Sequence, residues 1–351
     1  MNTAREIASS ALQAHDVPRA DADMVADALV ETSLRGIETH GLRLLPQFLN
    51  ELDQGVAKPH PAITVARSRG AAVTLDADAA LGVVAGMAAA TAAERLARKY
   101  GVGLVCVRNS NHFGAASVYS RRLSAAGLIG IVMTSAAARV APFNGVEPLF
   151  GTNPISVAAG GEWGEFVLDM ATSQVCFGAI KALGRDGGRL TTGWATDAAG
   201  KPTLAPDNAH ALSPLGGYKG QGIAMAVTLL TAVLAGAPLD WELEHIGEST
   251  PGNGRQVAHF VLCVDPDALG GGAAFKAGLS SLLNTTRQAV PAGKEPVMVP
   301  GDPERISRDR HLRLGIPLDP TTTSALEALA ERLGIEFAPG LPSGRAERVR
   351  R

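Results

Sequence analysis

The sequence predicts an α/β protein of more than one domain, and three observations carry that reading. Its 351 residues exceed the usual size of one compact core. The ends of the chain have helical spacing of apolar residues. The middle alternates strand-like and helix-like runs and contains a strand–helix–strand unit.

Taken in order, Met24, Val25, Ala28 and Leu29 sit at helical spacing within residues 3–34. A second helix is expected just after His40-Gly41, with Leu42, Leu45, Phe48 and Leu49 on one stripe and Pro46 tolerated in the first turn. Near residue 60 the texture changes. The run ITVARSRGAAVTLDAD alternates as strands do, and Val84 to Tyr100 reads as an Ala-rich helix stopped by Gly101. Leu104–Val107 is a buried strand, Arg108–His112 a loop, about Gly114–Ala126 a helix ended by Gly127, and Ile129–Thr134 a strand. His112 then lies where a strand delivers into a helix, the place that α/β folds favour for ligands. VEPLFGTNPISVAAG and EFVLDMATS read as strands, Gly184 to Pro206 as loop, and Gly222 to Gly236 as a strongly apolar helix. Gln256 to Val264 is a further strand, and Gly271–Gln288 and Thr321–Leu333 are helices.

Bulk composition excludes several classes of function. The net charge of −2 is spread along the chain, which argues against a nucleic-acid or anionic-membrane partner. The one basic cluster, Arg345 to Arg351, reads as a solvated end. Cys106, Cys176 and Cys263 lie far apart in apolar runs and read as small buried hydrophobes of a reducing compartment. With no apolar run long enough to span a bilayer and no leader-like start, the expected location is cytoplasmic.

Several short motifs could carry chemistry. Neither G-x-G-x-x-G nor a P-loop is present, so a nucleotide would not be held by a standard Rossmann fingerprint. The histidines form no close pair, so no metal site is expected, and no nucleophile elbow occurs. His112 in NSNHFG, the hydroxyls of LDMATS, and Lys219 inside PLGGYKGQG each suit an anion at a helix start, and each also suits an ordinary loop or cap. His40 in RGIETHGLRLLP, taken alone, reads as a polar residue at a helix mouth.

Together, RGIETHGLRLLP, NSNHFGAA, VAPFNG, GTNPIS, LDMATS and PLGGYKG occur in one order. In that order the chain resembles the malate/L-lactate dehydrogenase type 2 family, the L-sulfolactate dehydrogenase-like oxidoreductases, from about Ala4 to Arg313. The resemblance implies a non-Rossmann nucleotide-binding α/β domain at 66–299 with a smaller inserted subdomain. A mainly helical domain would be built from 1–65 with 300–351. It also implies an NAD- or NADP-dependent enzyme, usually a homodimer, acting on a small carboxylate.

Carried onto this chain, the resemblance makes His40 the proton donor, Thr39 the hydroxyl that polarises it, and His112 a second acid/base or cofactor-lining residue. Arg43 would hold the substrate carboxylate, with Thr152 as a further substrate contact. Cofactor contacts would come from His112, Phe113, Gly114, Ala115 and Ala116; from Met170, Ala171, Thr172 and Ser173; from Tyr218 and Lys219; and from Gly301, Asp302, Pro303 and Arg305.

Two positions depart from the family pattern. Many members place the carboxylate arginine four residues after the histidine, where this chain has Leu44 and carries Arg43 one residue earlier; that is about 100° of helix rotation. Ala179 stands where imine reductases carry an aspartate and other relatives a lysine. The leading expectation is hydride transfer to or from C2 of a 2-oxo or 2-hydroxy carboxylate of the malate, lactate or sulfolactate kind. Reduction of a cyclic imine (Δ1-piperideine- or Δ1-pyrroline-2-carboxylate) is the first alternative, and a ligand-binding homologue that has lost catalysis the second.

Overall fold

The computed structural model describes residues 2–162, 164–248 and 250–337, so the basic tail read at Arg345 to Arg351 lies outside the described residues. The helical start is two helices, α1 (Asn2–Gln13) and α2 (Arg19–Leu34), broken where Asp16 adopts a left-handed φ of 63° ahead of Pro18. After two single 3-10 turns around His40 comes α3 (Leu45–Asp53), with Pro46 in its first turn, where a missing N–H costs nothing. Ile7, Leu12, Val25, Leu29, Leu45 and Phe48 form one apolar cluster, closed by Leu326 from the far end of the chain.

A seven-stranded sheet follows. Its strands are β1 (Thr64–Arg69), β2 (Ala72–Asp76), β3 (Val102–Ser110), β4 (Ile129–Thr134), β5 (Ile155–Gly161), β6 (Gly164–Met170) and β9 (Val257–Val264). Between β6 and β9 a two-stranded ribbon pairs β7 (Ala195–Thr196) with β8 (Ala211–Leu212). The large sheet runs β1-β2-β3-β9-β4-β5-β6. β3 and β4 both pair antiparallel with β9, so the strand–helix–strand unit read from sequence is split by a strand arriving some 120 residues later. β9 takes the centre because it is apolar on both faces, which suits a strand with no solvent side. The unsplit parallel unit is β2, α4 (Gly82–Tyr100) and β3.

Helices α4 and α5 (Ser117–Ala125) cover one face of the sheet, burying Val105, Tyr119, Leu123, Val132 and Val261 together. The other face packs Cys106, Met133 and Phe260 against Val227 of α7 (Tyr218–Thr228). α6 (Phe177–Arg185), no part of which was expected as helix, reaches into the start of the loop read from Gly184, and its Ile180 closes a small cluster with Val140, Phe150 and Leu212. The apolar helix expected at 222–236 is α7, continued as a single π-helical turn over Leu229–Val233, and much of its apolar surface is exposed. The remaining helices are α8 (Gly272–Arg287), α9 (Asp302–Leu314) and α10 (Pro320–Leu333). The strand expected through GTNPIS begins only at Ile155, because Asn153 has a φ of 37° and cannot continue a ladder. Among the described residues no helix is long and apolar enough to cross a membrane.

These parts meet at Asn111, fully buried just past β3. Its amide donates to the carbonyls of Ala79 and Ala80 at 2.9 Å each and of Val56 at 3.3 Å, and its oxygen accepts from the Arg255 N–H at 3.1 Å. One side chain thus ties the segment after α3, the turn before α4 and the entry to β9. Asn111→Leu keeps the branched shape and strands those backbone groups in a dry interior. It should lower unfolding stability by about 2–4 kcal/mol in urea titration. A loss under about 0.5 kcal/mol, the scale of an ordinary surface change, would remove Asn111 from this role.

Candidate active site

The site is assembled where β3 ends. The register between β3 and β9 slips between Val107 and Ser110, with Asn109 at a φ of 55°, and such a bulge re-aims the strand end. His112 therefore leaves the sheet towards the helical side. α4 comes close enough to hold it there only because residue 82 is glycine. A Cβ on Gly82 would fall 2.3 Å from the Asn111 carbonyl oxygen and 2.4 Å from the backbone of His112.

The ring of His40, from the 3-10 turn before α3, stacks on the ring of His112 with centroids 5.6 Å apart and planes 23° from parallel. Thr39 Oγ1 lies 2.8 Å from His40 Nδ1. The Gly114 N–H donates to His112 Nδ1 at 3.2 Å, so the neutral His112 imidazole carries its proton on Nε2. Where the Thr39 hydroxyl is the donor of that bond, the neutral His40 ring has its N–H at Nε2. Both rings keep a partly accessible edge although protein surrounds them. Burial lowers the His40 pKa to about 4. Burial also pushes His112 well below its ordinary value, helped by His40, Arg255 and His259. Both are neutral at pH 7.

The expected residues divide by position. Thr39, His40 and His112 come together. The N–H and hydroxyl of Thr172 both donate to the Thr152 carbonyl, at 2.8 and 3.1 Å, so those two motifs are also joined. Phe113 faces inward, stacked on His259 at 4.5 Å and close to Tyr119, whose hydroxyl donates to its carbonyl. Ala115 and Ala116 are buried beside Gly114, and Met170 and Ala171 are partly exposed at the end of β6. Ser173 donates to the Val175 carbonyl at 2.7 Å. Tyr218 and Lys219 are exposed at the head of α7, which Gly216 and Gly217 enter at φ of 60° and 70° and no side chain caps. Asp302, at the start of α9 beside Gly301 and Pro303, is buried in a two-bond ion pair with Arg287 at 2.9 Å, and Arg305 adds a third bond at 3.3 Å. Its carboxylate is thereby spoken for within the protein.

The charge of Arg43 reaches Asp319 at the head of α10. Burial works to raise the Asp319 carboxyl. Hydrogen bonds from Thr322 and Thr321, with the charge of Arg43, outweigh burial and hold the carboxyl below its ordinary value. Leu44, the position of the family arginine, belongs to the helical core.

Three further features have little signature in the sequence. First, α6 touches the histidine site: a Cβ on Gly178 would lie 3.0 Å from Thr39 Cγ2. Its neighbour Phe177 is stacked by the Arg139 guanidinium at 4.5 Å, with the Lys181 ammonium at 5.2 Å from the same ring. Second, Glu51 and Arg255 form a buried ion pair at 3.4 Å, with side chains 1% and 4% exposed. Third, a cavity of about 630 Å³ borders Ile37 and Ser117, and three arginines (Arg35, Arg121 and Arg308) converge there on Glu31. It adjoins the histidine site without containing it. The signal for Arg139 was a lone charge among small residues in SAAARVAP. Arg255 sits in GNGRQV, where the glycines drew the attention.

A family model described as malate/L-lactate dehydrogenase matches residues 1–327. A malate dehydrogenase of Pyrococcus abyssi is 34% identical over 333 residues, covering 91% of this chain and 90% of the relative. The solved sulfolactate dehydrogenase of Methanocaldococcus jannaschii superposes with a TM-score of 0.89 at 31% identity, covering 95% and 96%. The Δ1-piperideine-2-carboxylate reductase of Pseudomonas syringae pvar. tomato superposes with a TM-score of 0.82 at 28% identity, covering 93% and 98%.

His259 beneath this site gives a pH test. It is fully buried between the hydroxyls of Thr134 and Ser110, each at 2.8 Å, and burial lowers its pKa to about 3 against a slight opposing pull from the Ala258 backbone. Unfolded histidine takes its proton near pH 6.5, so His259 stabilises the fold fully above that pH, and its contribution is lost as pH falls towards 3. Between pH 6.5 and 5 the loss from this residue should be about 2 kcal/mol. Urea titrations at both pH values should show it in the parent and not in His259→Gln. An equal acid loss in both proteins contradicts the assignment.

Proposed function

The chain belongs to the malate/L-lactate dehydrogenase family, and on that basis we propose that it moves a hydride between NAD or NADP and C2 of a small 2-oxo or 2-hydroxy carboxylate of the malate, lactate or sulfolactate type. The observation that carries this reading is the Thr39–His40–His112 cluster: two neutral imidazoles stacked where β3 meets the helical face, one tied to a hydroxyl. The residues around it fit a dinucleotide. The uncapped start of α7, entered through two left-handed glycines, offers backbone N–H groups and the Lys219 ammonium to a phosphate. A bound nicotinamide supplies the hydride for reduction and takes it for oxidation.

In reduction, negative charge grows on the substrate oxygen and has to be met by a proton. His40 delivers it from Nε2, while Thr39 fixes the ring through Nδ1. The low pKa of about 4 belongs to a site without an anion. A substrate carboxylate beside the ring favours its charged form and raises that value, so the acid is loaded when substrate arrives. His112 stacks against His40 and is the next group able to pass the proton on. An intact hydroxyl–histidine pair argues against the lost-catalysis alternative. Imine reduction retains one supporting observation: both histidines are neutral at pH 7, and a protonated imine brings its own proton.

We also propose that the chain acts as a homodimer joined through α7. Met225, Leu229 and Val233 lie four residues apart along one stripe and are 51%, 57% and 53% exposed, with Tyr218 at 70%. A contiguous apolar patch of this kind marks an association surface. It shares a helix with Tyr218 and Lys219, so dimerisation would order the cofactor end of α7.

Following reduced-nicotinamide absorbance with oxaloacetate, pyruvate, sulfopyruvate and a cyclic imine carboxylate, His40→Ala should lose roughly a hundred- to ten-thousandfold in kcat/KM. Thr39→Val should lose less. A His40→Ala enzyme within about threefold of the parent would sink the proton-donor role. By light scattering after gel filtration, the parent should run as a dimer and Leu229→Glu as a monomer; a monomeric parent contradicts the interface.

A further inference from the structure

The reaction proposed above needs a cation for the substrate carboxylate, and the charge of Arg43 is felt by Asp319 at the head of α10. We propose that Arg139 holds that carboxylate; the assignment rests on the 2-oxo acid reading and names the residue that would recognise the acid group.

Arg139 sits on the segment between β4 and the small apolar cluster, and its backbone is held on both sides. Its N–H donates to the Phe150 carbonyl and its carbonyl accepts from the Leu212 N–H, each at 2.8 Å. The guanidinium lies 4.5 Å above the ring of Phe177. A cation–π contact of this kind steadies the guanidinium and leaves its N–H groups free for a two-bond grip on a carboxylate. Phe177 is followed by Gly178, which touches Thr39, which in turn contacts His40. On α6, Gly178 and Lys181 are three residues apart, so they point within about 60° of each other, with Phe177 about 100° from Gly178. The edge of α6 nearest the histidines thus carries the aromatic platform and a second cation.

Arg139 also lacks a partner of its own. Among the described residues its guanidinium makes no hydrogen bond and no ion pair. Half-burial lowers its pKa, and the charge of Glu248 only partly offsets that. Arg255, by contrast, is committed to Glu51 and to the Glu244 carbonyl at 3.1 Å. α6 carries no acidic side chain, so nothing on that helix competes with a substrate for Arg139. A partly desolvated guanidinium resting on Phe177, next in the chain to the glycine that abuts Thr39, can meet a 2-oxo carboxylate held near His40.

The experiment compares the full-length parent with Arg139→Ala, Arg139→Gln and Arg139→Lys. For whichever 2-oxo acid is reduced, KM should rise roughly 30-fold or more in the alanine and glutamine variants, with a much smaller fall in kcat and unchanged cofactor affinity and Tm. Lysine should recover part of the loss, and added guanidinium ion should partly rescue alanine. In parallel, oxalate binding to the NADH-loaded protein is read by NADH fluorescence, which needs no turnover. Loss of oxalate affinity in Arg139→Ala by a similar factor supports the anchor even if the parent reduces none of the acids, in which case the activity reading alone fails. Parent-like oxalate binding and KM in the variants, within about threefold, overturn the anchor, and so does a parent that does not bind oxalate. If alanine fails to fold, glutamine, which keeps a planar group over Phe177, decides.

Discussion

The site depends on the buried amide of Asn111. A strand that ends in a bulge would ordinarily leave its last residues to fray, yet His112 follows directly on from Asn111. The side chain of Asn111 is bonded to backbone before α4, after α3 and at the entry to β9. A buried amide with donors and acceptors all matched is rigid, because any movement leaves a polar group unpaired in a dry interior. The precision needed to place one imidazole over another is therefore supplied one residue away from the chemistry. Gly82 adds the steric half of the same device by letting α4 lie directly on this backbone.

Beneath the histidines the protein keeps its charges buried and paired. Glu51 and Arg255 have almost no exposure, and each keeps one side-chain atom unpartnered among the described residues, Glu51 Oε2 and Arg255 Nε. Such a pair adds little net stability, since desolvation cancels most of the attraction. It does fix a positive charge behind His112, in the same direction as burial, and so disfavours a second positive charge there. An empty site then rests with both imidazoles neutral. On the proposed reaction, the proton arrives with the anion that needs it, which couples acid loading to substrate binding.

Much of the fold was legible because it follows from local rules. Helical spacing, Gly101 as a stop, Pro46 in a first turn and the apolar run of β9 each point to the element found. Topology was less accessible: nothing in Ile129–Thr134 tells that a strand from residue 257 onwards will lie between it and β3. α6 was hidden by its glycines, since Gly178 and Gly184 give the segment the composition of a loop while Ile180 anchors it. At the candidate site, Thr39, His40 and His112 were singled out because an ordered set of motifs contained them, and the structure brings them together. Arg139, Phe177 and Asn111 were not singled out, because their importance comes from contacts between segments that sequence spacing does not encode. The reading of Gly301–Arg305 as a cofactor loop sits beside a structural demand on the same residues, since Asp302 is bound to Arg287.

The departures at residues 43, 44 and 179 can then be taken together. Leu44 belongs to the helical core, and the charge of Arg43 helps hold the Asp319 carboxyl low, so that turn contributes to packing and to the head of α10. Ala179 is small and uncharged, which leaves the neighbouring surface of α6 to Phe177, with Arg139 above it and Lys181 alongside. A cation delivered from a strand-end segment and steadied by an aromatic ring is held by backbone bonds at Phe150 and Leu212, and not by a helix that must also pack. Function at this site is therefore tied to how the small apolar cluster around Val140 and Ile180 seats that segment, and substrate preference should vary with that seating more than with the histidines themselves.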